Sequence, residues 1–199
     1  MSNPAITTDS NIRSVLHSQR LRRQNSCPDT LVIDELGLAH ARSRVDVAVI
    51  SGYIHGYEIK SSQDSLDRLV NQINIYRQAL QKVTIVTAHK HLPKVLSGVP
   101  GWCGVIEAVP GVRSGIRLLP VRPAQPNPDI DPVVLAHLLW RPEVIKLLSG
   151  VGYAQKELRG SRKHLYEMLC EVMTLREITV AIREFMMQRR SWRDHPAHG

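Results

Sequence analysis

The sequence predicts an α/β protein: a mixed sheet laid down in the order αβββαβ, with a helical appendage behind it. Three observations carry this. Between residues 44 and 60, two segments rich in Val, Ile and Tyr alternate with period two on either side of Gly52, the pattern of strands with one apolar face. Between residues 64 and 81, Leu66, Leu69, Val70, Ile73, Ala79 and Leu80 recur at spacings of three and four, the stripe of an amphipathic helix. Finally, five of the twelve prolines (Pro120, Pro123, Pro126, Pro128 and Pro132) crowd an aperiodic stretch, after which only helical patterns follow.

Taken in order, residues 11–23 read as a short basic helix, and residues 30–36, 44–50 and 53–60 as strands. The helix over 64–81 opens on the capping pair Asp64 and Asp67. A buried strand follows at 83–87, then a helical turn at 91–96 and strands at 104–108 and 115–119. Behind the prolines, helices are expected at 132–148, 161–172 and 174–190, the last opened by the capping box of Thr174 and Glu177. The expected organisation is a core over 1–119, a Pro-rich linker over 120–132, a helical appendage over 133–192 and a tail over 193–199.

With 43% hydrophobic and 22% charged residues in a chain of 199, disorder and fibrous architectures are excluded. The apolar runs are far shorter than the ~18 to 20 residues that cross a bilayer, and the polar start lacks a signal peptide's apolar region. The expectation is a cytoplasmic protein with no membrane partner. Cys27, Cys103 and Cys170 lie far apart, which suggests neither a disulfide framework nor a zinc knuckle. The net charge of +8 favours a polyanionic partner, nucleic acid first.

The strand pair at 44–60 carries the chemistry. A reversal centred on Gly52 places Ile50 opposite Ile54, Ala48 opposite Gly56, and Asp46 opposite Glu58. Like charges facing each other on a sheet are destabilising by roughly 0.2 to 1 kcal/mol, an objection that a bound cation removes. Two carboxylates, a backbone carbonyl and waters suit Mg²⁺. Lys60, two residues beyond Glu58, points to the same side and can offset charge on a phosphoryl-transfer transition state.

Asp46, eleven intervening residues and then Glu58-Ile59-Lys60 resemble the D-x(n)-E-x-K signature of the restriction-endonuclease-like, or PD-(D/E)XK, nuclease superfamily, with Val45 where many members have proline. The surrounding sequence, RVDVAVISGYIHGYEIKSSQDSLDRLVNQINIYRQAL and then KVTIVT, is similar to a mostly uncharacterised bacterial branch, over about residues 30–190. The resemblance implies the αβββαβ core and a nuclease that hydrolyses DNA phosphodiester bonds with Mg²⁺ or Mn²⁺, in repair, restriction or phage defence. Carried over by position, it makes Asp46 and Glu58 metal ligands, Ile59 a ligand through its carbonyl, and Lys60 the catalytic lysine. Glu35, with Asp34 as the fallback, becomes the upstream acid. Gln72 and Tyr76, four apart on one helix face, resemble the Q-x-x-x-Y pair of exonuclease-like branches, where the glutamine lies near the scissile phosphate.

Behind the linker, Lys156, Arg159, Arg162 and Lys163 gather around Gly160 and the start of a helix, a set suited to phosphates. The second reading, from another class, is a catalytically silent subunit that binds nucleic acid or a protein partner with the same fold. DNA is the expected partner with RNA open, as is the choice between a homodimer and a larger assembly.

Overall fold

The computed structural model describes residues 7–39, 42–111 and 115–194. Helix α1 (Asp9–Val15) is capped by Thr8, whose hydroxyl accepts from the Asn11 amide at 3.3 Å, and runs on through one π turn (Leu16–Arg20) into the short α2 (Arg22–Asn25). Strands β1 (Leu31–Leu38), β2 (Ser43–Ile50) and β3 (Ile54–Lys60) follow, then α3 (Leu69–Ala79), β4 (Lys82–Ala88), α4 (Leu92–Gly98), β5 (Gly104–Pro110) and β6 (Ile116–Arg122). The back of the chain forms α5 (Pro132–Ala136), α6 (Arg141–Gly150), α7 (Arg162–Val172) and α8 (Leu175–Asp194). Beyond Asp194, the expected tail lies outside the described residues.

The six strands form one mixed sheet in chain order, β1 to β6. The β3–β4 and β4–β5 pairs are parallel and the other three antiparallel. The register expected around Gly52 runs from Ile50 opposite Ile54 to Val47 opposite Tyr57 and stops there, one pair short of Asp46 and Glu58.

Period-two alternation gives the sheet two apolar faces, each buried under helices. On one, Ile54, Ile85 and Val105 pack with Ile73 and Tyr76 of α3 and with Leu135, Leu165 and Ile178 of the later helices. On the other, Val47, Val49, Ile59 and Val86 lie under Ile12, Leu16 and Leu21. All three of those cover residues are fully buried, each contributing roughly 1.5 to 3 kcal/mol of apolar transfer energy, so the N-terminal helix is an integral layer.

Two helices differ from their sequence reading for identifiable reasons. The first begins at Leu69 rather than 64, because Asp64 Oδ2 accepts from the Ser61 amide (2.7 Å) and hydroxyl (2.6 Å), closing a turn that competes with helix. The helix expected over 132–148 is two. Pro142 has no N–H to offer the Leu138 carbonyl, which Arg189 takes at 3.2 Å instead.

The Pro-rich stretch is tied down at several points. Pro120 lies within β6, and Pro132 opens α5 behind the cap Asp131. Between them the Gln125 and Asn127 amides donate to the Trp102 and Gln81 carbonyls, and Asn127 Nδ2 donates to the carbonyls of Arg77 (2.6 Å) and Leu80 (2.8 Å). Residues before and after it share one core.

Gly104 sits where β5 meets the chain leaving β6. A Cβ there would lie 2.7 Å from Thr84 Oγ1 and 2.9 Å from the Ala124 backbone nitrogen. Gly104→Ala is therefore expected to destabilise by about 1 to 3 kcal/mol in urea unfolding, and an unchanged midpoint would contradict this close approach. No described helix is long and apolar enough to cross a membrane.

Candidate functional site

The end of β3, where the antiparallel ladder stops, holds the polar residues that the sequence singles out. Glu58 and Lys60 share the face covered by α3, and both are buried, at 2% and 7% exposure. Glu58 Oε1 accepts from Lys60 Nζ at 2.7 Å and from Gln72 Nε2 at 2.6 Å, while Oε2 accepts from the Tyr76 hydroxyl at 2.6 Å. Lys60 Nζ also donates to Gln72 Oε1 at 3.0 Å. The four-residue spacing of Gln72 and Tyr76 on α3 aims both at one carboxylate. Burial first, and the Glu58 charge second, drive the Tyr76 phenol far above its ordinary value, so its proton stays in the bond to Glu58.

Asp46 lies where β2 departs from regular alternation: Ala48 and Ile50 pack on the α3 face, and Val45 packs there too. Freed from the ladder, its side chain reaches across to β3, and Oδ2 accepts from the Ile59 amide at 2.6 Å. Ile59 thus contributes its N–H here. The neighbouring strand breaks at the same level, where Glu35 takes a left-handed backbone, φ 58°.

Arg13 of α1 closes the other side. Its guanidinium donates to Asp9 Oδ1 (3.1 Å), Glu35 Oε1 (2.7 Å) and the Asp46 carbonyl (2.6 Å), and lies 3.5 Å from Asp46 Oδ1. Burial opposes its charge, but Asp9, Asp46 and Glu35 outweigh that and hold its pKa above the ordinary value. Arg44 stands 3.6 Å from the second oxygen of Glu35, and the fallback acid Asp34 meets His17 Nε2 at 2.8 Å. Neither Arg13 nor Asp9 is singled out by the sequence reading. The available signal is weak: Asp9 and Arg13 at i,i+4 beside the apolar pair Ile12 and Leu16.

The arrangement is a polar core whose negative charge is met from within. Among the described residues no group of three or more His, Cys, Asp or Glu side chains is arranged to hold a metal ion. The oxygens expected to face Mg²⁺ or Mn²⁺ face Arg13, Lys60, Gln72, Tyr76 and the Ile59 amide. As they stand these residues do not fit that ion, and no chemical step is derived through it.

Burial first, and the Glu58 charge second, raise the Asp46 carboxyl to about 7, with the Ile59 amide opposing. Its unfolded value is about 3.9. Ionisation therefore costs the native state more than the unfolded chain. The stabilising contribution of protonated Asp46 is complete below about pH 4 and is lost as pH rises to about 7. Asp46→Asn keeps an acceptor for Ile59 and removes this dependence. Its Tm is expected to lie at or below wild type at pH 4.5 and several degrees above it at pH 8. A gap that does not widen with pH would refute the assignment.

Fold and site together define an α/β protein with a helix-covered mixed sheet and carboxylates neutralised by its own cations. The chain belongs to the family of bacteriophage P4 protein cII, whose model matches residues 10–195. Protein cII of Enterobacteria phage P4 is 29% identical over 168 residues, covering 84% of this chain and 61% of that protein. The chain thus spans less than two thirds of this curated relative's length. No solved structure matches it.

Membership in this family overturns the likeness to the restriction-endonuclease-like superfamily and its bacterial branch. The nuclease and hydrolase reading, Mg-dependent deoxyribonuclease activity, and roles in repair, restriction or defence fall with it. The physical reason for the misreading is that D-x(n)-E-x-K is short. It reports two acids and a lysine at one sheet edge, and Arg13, 33 residues upstream of Asp46, is invisible to it.

Proposed function

We propose that the protein binds nucleic acid, with DNA as the expected partner, and does not cut it. The observation that carries this is the basic set at the start of α7, where Lys156, Arg159, Arg162 and Lys163 are all exposed. The cap Ser161, accepting from the His164 amide at 3.2 Å, fixes the helix start. Arg162 lies over the Tyr166 ring, 5.4 Å from its centroid, which aims the guanidinium, and Lys163 is loosely paired with Glu167 at 3.7 Å. Exposed cations of this kind exchange counterions for phosphates, the sequence-independent part of DNA binding. The formal charge of +8 supports the same direction.

In this reading Glu35, Asp46, Glu58, Lys60, Gln72 and Tyr76 organise the fold, and the charge role expected of Mg²⁺ or Mn²⁺ belongs to Arg13 and Lys60. Fluorescence anisotropy with a labelled duplex tests it. Replacing the four basic residues by Glu is expected to weaken binding by at least about 100-fold near 0.1 M salt and to flatten the logarithmic salt slope by about 3. Chelating divalent ions at constant ionic strength is expected to leave wild-type affinity unchanged. Unaltered binding by the fourfold variant would remove this surface from the function.

A further inference from the structure

On the sheet face covered by α1, the helical layer ends before the sheet does. Beyond it opens a groove of about 670 Å³, within the range that holds small ligands, floored by β3 and β4 and walled by α2 on one side and the chain leaving β6 on the other. We propose that this groove binds the unpaired bases of a single-stranded nucleic acid, with Tyr53 as the stacking platform. The inference rests on the reading of the protein as a nucleic-acid binder and adds which form of the polymer it takes.

Three independent features of the groove point to that ligand. The first is charge. Arg20, Arg23, Lys82 and Arg122 line it and no carboxylate does. Among the described residues none of the four has an ion-pair partner. Arg122 is anchored by the Cys103 and Pro100 carbonyls at 2.8 and 3.0 Å, which position it and leave its charge uncompensated. An anionic backbone meets only cations here.

The second is aromatic order. Tyr53, in the bend just before β3, and His55 and Tyr57 on the strand follow one another as a series of neighbouring rings. The His55 and Tyr57 rings stack at 4.3 Å and 22°, and Tyr53 follows at 6.4 Å from His55. Tyr57 is buried and Tyr53 is 42% exposed, so the series runs from the core out to a ring that solvent reaches. Every base has a π face, so such a ring takes unpaired bases without sequence preference, whereas bases stacked within a duplex cannot reach it. Lys82 Nζ lies 4.8 Å from the centroid of Tyr53, where it serves both the ring and a phosphate.

The third is rigidity. His55 Nε2 contacts Thr84 Oγ1 at 2.8 Å and its Nδ1 lies 3.4 Å from the Tyr57 hydroxyl, so the inner rings cannot swing to fill the groove. Burial, and then the charges of Lys82 and Arg20, press the His55 pKa to about 4, which leaves a neutral ring for stacking at neutral pH.

The test is anisotropy with a labelled oligothymidylate, a duplex of equal length, and thymidine monophosphate as competitor, on wild type, Tyr53→Ala, Tyr53→Phe and the fourfold α7 variant. The oligothymidylate is expected to lose about 5- to 100-fold in affinity with Tyr53→Ala and almost none with Tyr53→Phe. The duplex is expected to respond to neither, and the mononucleotide to compete only weakly. If Tyr53→Ala binds oligothymidylate as wild type does while the α7 variant loses binding, the groove proposal falls and the nucleic-acid reading stands. If wild type binds neither polymer, both fall. Mononucleotide competing as well as the oligomer would make the site one for free nucleotides and overturn the polymer proposal. Because Tyr53 is partly exposed, a matched melting temperature for Tyr53→Ala separates lost stacking from lost fold.

Discussion

Glu58→Ala is expected to destabilise the protein by about 3 to 5 kcal/mol, enough to lower the Tm by some ten degrees or more. The cause is what remains. Lys60 keeps a buried ammonium with no carboxylate, and the Tyr76 hydroxyl and Gln72 amide lose the oxygens that they donate to at 2.6 Å. An unpaired buried charge is more expensive than the pair was favourable, so adding Lys60→Met to Glu58→Ala is expected to restore more than half of the loss. Urea unfolding of the two single variants and the double one forms the cycle. Additive losses would show that Glu58 and Lys60 do not act as a pair.

Arg13→Ala is expected to cost about 2 to 3 kcal/mol at pH 8. Arg13 is mostly buried while Asp9 and Glu35 are nearly half exposed, so water recovers part of the lost attraction. What water does not recover is the Asp46 carbonyl, left without its 2.6 Å donor, and the Asp46 carboxylate facing Glu58. With the Asp46 carboxyl raised to about 7, the loss should shrink at pH 5, where that group is protonated. Equal losses at both pH values would refute the role of Arg13 as the counter-charge of Asp46.

Much of the sheet was legible because its signals are local. The alternation of Val45 to Ile50 and Tyr53 to Lys60 about Gly52 is enough to set the hairpin register at four pairs. Thr174 and Glu177 form their capping box as read, with the Glu177 amide donating to Thr174 Oγ1 at 3.3 Å. The site was legible only in part, because its decisive contacts are distant along the chain. Parity places Glu58 and Lys60 side by side, and helical spacing brings Gln72 and Tyr76 together. But strict parity also sets Asp46 opposite Glu58, and the break in alternation there and at Glu35 escapes any periodic reading. Nor does spacing reveal that Arg13 occupies the ground where a cation was expected. The Tyr53, His55, Tyr57 series is legible in the same alternation, but a binding role for it is not, because Arg20, Lys82 and Arg122 join it only in three dimensions.

The sheet's strand order has a consequence for how the molecule is made. Because each strand pairs with its predecessor, the sheet can extend strand by strand as the chain leaves the ribosome, with every new pairing partner already in place. Closure comes late. Arg183 of α8 donates to the Asp29 carbonyl at 2.9 Å just before β1, Thr179 donates to Gln81 at 3.1 Å, and Met186 packs in the same core as Leu31. Until α8 is synthesised, the part of the first strand's apolar face beside Met186 stays open to water, although α3 already packs against that strand. A nascent chain arrested after α7 should thus hold a paired but unsealed sheet, protease-sensitive along β1 and prone to chaperone capture, and addition of α8 should abolish both properties at once.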